Sequence, residues 1–359
     1  MSRLLPLSPR NASAIDNASA TIELSSYSAE YAAWPTEKAG AMSDFNYCNG
    51  QRLRQFSIAA ASLVAAMVPL SARADGMLDS GVVRSWIDTV NASQENQPHW
   101  MTPIITTTPR LEQELRWDFY DQQNGQPPHG NGQRLLNDGG PGGPRVEFIP
   151  EYNTQITLGA PPAISSSGSR GEQTSPGDWP AFLVKYRFIS ANEEHGNYIV
   201  TGFFQMSVPS GYGRGISNNV LLAQPTIAFG KGWGDFDIQS TISVQIPVDS
   251  YFCKPTPQCT APPVGISAER NFGDPVIWNT AFQYHIWKYF WPAVEVSYTY
   301  FPNGQRAGLN QVLLTPELIL GRFNLAPRQN LIIGAGYQFA VTADPQVQNA
   351  FVATARLTF

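Results

Sequence analysis

The last nine residues of the chain, 351–359, restrict its fold more than any other stretch. They read Phe-Val-Ala-Thr-Ala-Arg-Leu-Thr-Phe, so that apolar residues alternate with mostly polar ones. Successive side chains of a β-strand point to opposite faces, and this alternation predicts a strand with one apolar and one mostly polar face. The stretch ends on an aromatic residue, and an unpaired apolar strand in water invites pairing with other chains. A closed barrel in a lipid bilayer removes this difficulty, because the apolar face meets lipid and the strand pairs with the first one.

The composition supports an all-β fold. Of 359 residues, 42% are hydrophobic and only 14% are charged, with 30 glycines and 29 prolines to supply turns. A helix needs about 20 apolar residues to cross a membrane, and the longest apolar run, 58–70, is shorter than that. The formal net charge of −5 argues against nucleic acid as a partner.

A secretory leader is predicted at residues 1–74. Arg52 and Arg54 precede the apolar run, and Ser-Ala-Arg-Ala follows it at 71–74, which together indicate a signal peptide over about 42–74 with cleavage after Ala74. Residues 1–41 are polar and lack a period. They are either a disordered leader or the product of a start site placed too early, with Met42 as the true one.

Residues 75–101 are predicted to form a periplasmic N-terminal segment. Apolar residues in it recur at helical spacing, at Val82, Val83, Trp86, Ile87 and Val90, and predict one short amphipathic helix. That helix is either a surface helix or a plug for the interior of the barrel.

From residue 102 the apolar period changes to two, and residues 102–359 are predicted to form a transmembrane antiparallel up-and-down β-barrel. Eleven candidate strands are found, at 110–120, 145–158, 181–190, 197–208, 218–230, 235–247, 276–286, 294–300, 309–321, 331–342 and 351–359. Many exceed the usual 5–6 residues of a globular strand and suit the roughly 9–11 residues of a membrane strand. Because single-chain bacterial barrels have an even number of strands, either 102–120 bends at Pro109 and gives twelve, or it lies outside the barrel and gives ten. We predict about twelve, within a range of 10–14.

The connections are predicted to differ in length at the two ends of the barrel. Counted back from the last strand, the turns near 302–307 and 342–346, the Gly/Ser-rich loop 159–178 and the loop with Cys253 and Cys259 share the outer end. In an oxidising compartment these two cysteines predict a small-loop disulfide, with two free thiols as the alternative. A metal site would need more ligands than these two, and no metal or other cofactor is predicted. An aromatic cluster at 287–291 is the expected interfacial girdle.

Two resemblances extend this interpretation. The pattern with Phe351, Leu357 and Phe359 resembles the C-terminal assembly signal of bacterial outer-membrane β-barrels, which implies the outer membrane, its lipid and the barrel-assembly machinery as partners. The stretches 108–114, 177–187 and 278–284, the last reading Trp-Asn-Thr-Ala-Phe-Gln-Tyr, resemble uncharacterised outer-membrane proteins of the phenol meta-pathway transporter type. This implies a channel or transporter for small solutes, with hydrophobic or aromatic compounds as candidates, and it identifies no site residues.

Charged and polar residues on the polar strand faces are the candidate lumen lining. They are Glu112, Glu114, Arg116, Asp118, Glu147, Glu151, Lys185, Arg187, Asp237, His285, Glu295, Glu317 and Arg356. Such residues either line a pore and set its selectivity or pair into a network that fills a narrow barrel. The sequence leaves both alternatives open.

No catalytic site is predicted. The glycine-rich stretch 230–234 is too short for a phosphate loop and precedes a strand, so it reads as a hairpin turn, and no G-x-S-x-G motif occurs. His285 and Asn279 share a strand face as in a barrel lipase, but six residues of strand separate them by about 20 Å. The expected function is therefore a small-solute channel, with a non-conducting structural or adhesive barrel, a barrel lipase and a soluble secreted β-sandwich as competitors.

Overall fold

The computed structural model describes residues 81–125, 132–168, 171–211, 216–217, 220–248 and 272–359. The predicted leader and signal peptide, and the predicted disulfide between Cys253 and Cys259, lie outside these ranges. No helix in the described ranges is long and apolar enough to cross a membrane.

The described chain is one helix followed by sixteen strands. The helix, α1, is Gly81–Glu95. The strands are β1 (Glu114–Asn124), β2 (Arg134–Asp138), β3 (Arg145–Glu151), β4 (Thr154–Gly159), β5 (Ala163–Gly168), β6 (Gly171–Pro176), β7 (Trp179–Ala191), β8 (Tyr198–Val208), β9 (Leu222–Trp233), β10 (Phe236–Val244), β11 (Ile246–Pro247), β12 (Val276–Tyr284), β13 (Phe290–Tyr300), β14 (Asn310–Ala326), β15 (Gln329–Ala340) and β16 (Val347–Thr358).

Twelve of these strands form a closed antiparallel barrel. The order is β1-β3-β4-β7-β8-β9-β10-β12-β13-β14-β15-β16, and β16 pairs back onto β1. The closing pair runs from Glu114 opposite Thr358 to Asn124 opposite Val347. The all-β, twelve-stranded fold predicted from the sequence is confirmed, and the terminal strand is protected by its pairing with the first.

The twelfth strand does not arise as the sequence suggested. The chain does not split at Pro109 into two strands, because β1 begins only at Glu114. Instead, the single strand predicted at 145–158 is a hairpin of β3 and β4 with a turn at 152–153. A register shift between Phe148 and Glu151 keeps the inward-facing positions on odd-numbered residues through this turn, so the pattern imitates one long strand.

The two ends of the barrel differ as predicted. We call the end that holds Phe359 the near end and the other the far end. Near-end connections are short, at 152–153, 192–197, 234–235, 285–289 and 327–328, whereas those at the far end include 160–178, 245–275, 301–309 and 341–346. Much of the predicted loop 159–178 is in fact a hairpin of β5 and β6, which extends the sheet from β1 through β2 at the far end.

The barrel has a polar interior and an apolar exterior. On β15, Ile333 is 40% exposed and lies on the outside, whereas Arg356 of the neighbouring β16 is 1% exposed and lies inside. Trp287 and Phe290 of the predicted girdle are exposed at the near end, whereas Trp291 is buried on the inside of the barrel. A soluble barrel would bury its apolar side chains, so this inverted polarity requires an apolar environment around the wall.

Candidate functional site

Residues 97–113, which we call the inner segment, run through the interior of the barrel. Every residue of the segment is buried except His99, Ile105 and Thr107. It forms neither helix nor strand, and its three prolines, Pro98, Pro103 and Pro109, lack the N–H groups that a ladder of strand hydrogen bonds needs. Its buried backbone polar groups must therefore be satisfied by side chains of the wall.

Charged side chains of the wall bond the first half of the inner segment. Arg356 donates to the carbonyl oxygens of Thr102 and Pro103 at 2.5 and 2.8 Å. On β13, Glu295 accepts hydrogen bonds from the backbone N–H groups of Ile105 and Thr106 at 2.7 and 2.5 Å. Hydrogen bonds that involve a charged group are stronger than neutral ones. The first half of the segment is therefore held firmly by one cationic side chain, Arg356, and one anionic side chain, Glu295.

The second half of the segment is held in the same way by other strands. Lys185 of β7, 1% exposed, donates to the carbonyl oxygens of Thr108 and Arg110 at 2.9 and 2.7 Å. Gln239 of β10 accepts from the Thr108 hydroxyl at 2.6 Å. The Glu112 backbone N–H donates to a Gln155 side chain on β4 at 2.7 Å. The inner segment is thus attached to strands all around the barrel. Each attachment is made by a single side chain of the wall.

The helix α1 precedes the inner segment and lies against the near-end turn between β3 and β4. The Trp86 indole donates to the carbonyl oxygen of Ile149, and the Ser93 hydroxyl donates to that of Tyr152, both at 2.7 Å. Arg187 of β7 donates to the Ser93 carbonyl at 2.7 Å. The predicted helix is therefore confirmed, and the residues that follow it, not the helix itself, occupy the interior.

A carboxylate at the near end marks where the inner segment begins. Glu193, in the β7–β8 connection, accepts from the backbone N–H of His99 at 2.6 Å and lies 2.8 Å from its ring Nδ1. Partial burial alone would raise the pKa of Glu193, but the hydrogen bonds from His99 outweigh it and lower that pKa to about 2. The carboxylate therefore stays ionised through ordinary conditions and keeps its hold on the segment.

Eleven of the thirteen candidate lumen residues are buried within the barrel, either on inward strand positions or, for Glu112, on the inner segment. They are Glu112, Glu114, Arg116, Asp118, Glu147, Lys185, Arg187, Asp237, Glu295, Glu317 and Arg356. Glu151 is instead exposed at the β3–β4 turn. His285 is half-buried at the near end, where its ring stacks on Trp291 with centroids 4.0 Å apart.

Sequence reasoning missed two basic residues of this charged interior, Arg110, which lies 3.1 Å from Glu112, and Arg145. Arg145 lies 3.2 Å from Asp118 and 3.0 Å from Glu147, and so it joins two acidic residues of different strands. Arg116 lies 2.9 Å from Asp118 in the same cluster. The signal was the spacing of Arg145 and Glu147, which are two residues apart and therefore share a strand face.

A cavity of about 540 Å³, which we call the far cavity, lies between the inner segment and the far half of the wall. Its lining includes residues 104–108 of the inner segment, Tyr120 and Gln122 of β1, and Gln338 of β15. Pockets for small molecules usually measure about 300–1,000 Å³, so the volume suits a small solute. The barrel is thus filled by the chain in one half and hollow in the other.

Of the predicted assembly signal, Phe351 and Leu357 lie on β16, and Phe359 directly follows the strand. Phe351 is exposed on the outside, while Leu357 and Phe359 are half-buried at the near end. The backbone N–H of Phe359 donates to the Gln113 carbonyl at 3.1 Å, which places the last residue beside the end of the inner segment.

No family model and no curated protein matches the chain. Among solved structures, it is similar to a COG4313 outer-membrane channel from Pseudomonas putida F1, with 14% identity over 72% of this chain and all of that chain, and a TM-score of 0.46. The NanC porin shows 9% identity, 69% and 98% coverage and a TM-score of 0.39, and the KdgM porin shows 8% identity, 68% and 99% coverage and a TM-score of 0.36. Similarities this distant carry no information on solute or mechanism.

Proposed function

We propose that this chain is an outer-membrane channel for small solutes, in which the inner segment acts as a plug. Two features together carry the proposal. The wall is polar on its inside and apolar on its outside, and it encloses a cavity of about 540 Å³. A polar hollow enclosed by a lipid-facing wall offers a solute a route through hydrocarbon.

The attachment of the inner segment supports a role as a movable plug. Passage through the near half requires the segment to shift, because its residues fill that half. A strand in the wall would have to break a whole hydrogen-bonded ladder to move. The inner segment is held mainly by separate side chains, such as Glu295 and Lys185, and these can be released without opening the wall.

The membrane setting follows from the same proposal. The near end faces the periplasm, with α1 there, and the far end with its long connections faces outward. Lipid, the barrel-assembly machinery and a small solute are the partners, and cleavage after Ala74 removes the leader. The charged cluster around Arg145 supports the competing non-conducting barrel, because its charges satisfy one another.

An enzymatic role finds little support in the geometry. In the barrel-lipase interpretation His285 and Asn279 would act together. His285 stacks on Trp291 at the near end, whereas Asn279 lines the far cavity, so the two belong to different parts of the barrel. A catalytic pair must come within hydrogen-bond reach of one another or of one substrate atom.

The experiment that tests the proposal is reconstitution of the purified protein in a planar bilayer. Heat-modifiable mobility on a gel first establishes that the barrel is folded. Folded protein that produces discrete current steps supports the channel. Folded protein that never conducts, in any variant of the plug contacts, supports the non-conducting barrel.

A further inference from the structure

The far cavity has no net charge of its own. Three basic and three acidic side chains line it: Arg116, Arg145, Lys185, Asp118, Glu147 and Asp178. Arg145 pairs with two of the acids, and Lys185 donates to two carbonyl oxygens of the inner segment. Because these charges are engaged with the protein, they offer little net attraction to an ion of either sign.

Uncharged polar side chains make up much of the remaining lining. Eight of them are carboxamides: Gln122, Asn137, Gln155, Gln205, Gln224, Gln245, Asn279 and Gln338. Each carboxamide both donates and accepts hydrogen bonds, as does the hydroxyl group of a solute. Some form chains along the wall, in which Gln245 donates to Gln224 at 3.0 Å and Gln224 donates to Ser243 at 3.2 Å.

Several polar atoms of the lining lack a protein partner. Within the described part of the chain, the hydroxyl groups of Thr106 and Ser297 and the Asn279 carboxamide oxygen form no hydrogen bond. Thr106 is 0% exposed and Ser297 is 7% exposed. Buried polar groups are normally hydrogen-bonded, and these three atoms have bonding capacity that no protein group uses. They lie just behind the surface of the lining, so a small rotation of each side chain presents them to a solute or water in the cavity.

Apolar side chains complete the lining in patches between the polar ones. Ile104 of the inner segment, Leu222 of β9 and Leu313 of β14 are buried there. A solute with hydroxyl groups at its edges and C–H groups on its faces matches such a mixed surface, since each kind of group finds its counterpart.

From this lining we infer that the far cavity is a binding site for an uncharged, hydroxyl-rich solute of the size of a single sugar ring, with Asn279, Ser297 and Thr106 among its ligands. This inference rests on the proposed channel function and names its solute class. It differs from the hydrophobic or aromatic solutes that the family resemblance implies.

Swelling of protein-loaded vesicles tests the inference with four probes. Glucose is the uncharged polyol, gluconate its anion, glucosamine its cation, and phenol the aromatic compound, each measured above the leak of protein-free vesicles. We expect glucose to enter faster than the two charged relatives. Asn279→Leu removes the amide at similar volume and should slow glucose entry about fivefold, the effect of roughly one hydrogen bond.

Two further variants keep the test interpretable. Ser297→Ala is the second lining variant if Asn279→Leu fails to show heat-modifiable folding. Thr280→Val is the matched control, because Thr280 is the neighbour of Asn279 on β12 but lies outside the cavity lining, and its hydroxyl bonds that of Ser240, which does not line the cavity either. In this control, both the rate of glucose entry and its ratio to the rate of gluconate entry should equal those of the wild type.

The outcomes separate the inference from the function on which it rests. Entry of gluconate or glucosamine at least as fast as glucose, entry of phenol alone, or glucose entry that neither lining variant slows overturns the solute class and leaves the channel standing. Folded protein that admits none of the probes overturns the channel itself, and the inference with it.

Discussion

Substitution of Gly334 on β15 tests whether the inner segment packs against the wall. A Cβ at this position would lie 3.2 Å from Ile319 Cγ1 and Thr354 Cγ2, both in the wall, and 3.3 Å from Cδ1 of Ile104 in the inner segment. Gly334→Leu adds still more volume there, and overpacking of this kind costs about 1–3 kcal/mol. Ile104→Ala alone should cost about 2–5 kcal/mol, because Ile104 is buried.

The two changes together should be less harmful than their sum. Ile104→Ala vacates the space that the new leucine needs, so we expect a coupling free energy of about 1–3 kcal/mol in the rescuing direction. The assay is urea unfolding in lipid vesicles, followed by tryptophan fluorescence and by heat-modifiable mobility.

Gly336→Leu is the matched control on the same strand. An added Cβ there would meet Glu317, Pro316 and Thr315 of β14 as its nearest neighbours, and none of these belongs to the inner segment. Ile104→Ala should therefore not rescue Gly336→Leu. Simple additivity for Gly334 and Ile104, or equal rescue of both glycine variants, would refute the packing of the inner segment against β15.

Three other predictions concern the lipid face, the near end and the far loop. Ile333→Arg near the midplane should cost about 2–4 kcal/mol in vesicle folding, because the guanidinium must leave water for hydrocarbon, and a cost near zero would contradict the lipid-facing assignment. The pKa of Glu193 is lowered from 4.5 to about 2, so its contact with His99 contributes stability above about pH 4.5 that disappears as the pH falls through about 2. The difference in unfolding free energy between wild type and Glu193→Gln should therefore shrink as the pH falls over that range. A constant difference would argue against the contact. Cys253 and Cys259 should resist thiol labelling on intact unreduced cells and react after reduction, whereas labelling of both without reductant would exclude the bridge.

The wall of the barrel could be predicted from sequence because its signal is local. Alternation along β15 and β16 distinguishes Ile333 from Gly334 without reference to any other strand, since the side-chain period is two. The number of strands was harder to predict from the sequence. The hairpin of β3 and β4 keeps its inward positions in phase across the turn, so periodicity alone could not show that Glu151 and Thr154 belong to different strands.

The inner segment could not be predicted in this way, because its structure depends on distant residues. The partners of Ile105 and Thr102 are Glu295 and Arg356, which lie 190 and 254 residues further along the chain. Arg110 and Glu112 alternate with apolar neighbours as they would in a strand, and they suggested one. The three prolines of the segment were the available signal against a wall strand.

The most direct test of the plugged channel is single-channel recording on wild type and Glu295→Ala. Removal of this carboxylate leaves the N–H groups of half-buried Ile105 and buried Thr106 without their acceptor, at about 1–3 kcal/mol each. Even the lower end, about 2 kcal/mol in total, should raise the ratio of open to closed time about 30-fold. Thr315→Val, which changes a buried hydroxyl of the wall, should record like wild type. An unchanged open fraction in folded Glu295→Ala, or the same increase in Thr315→Val, would contradict a channel closed by its inner segment.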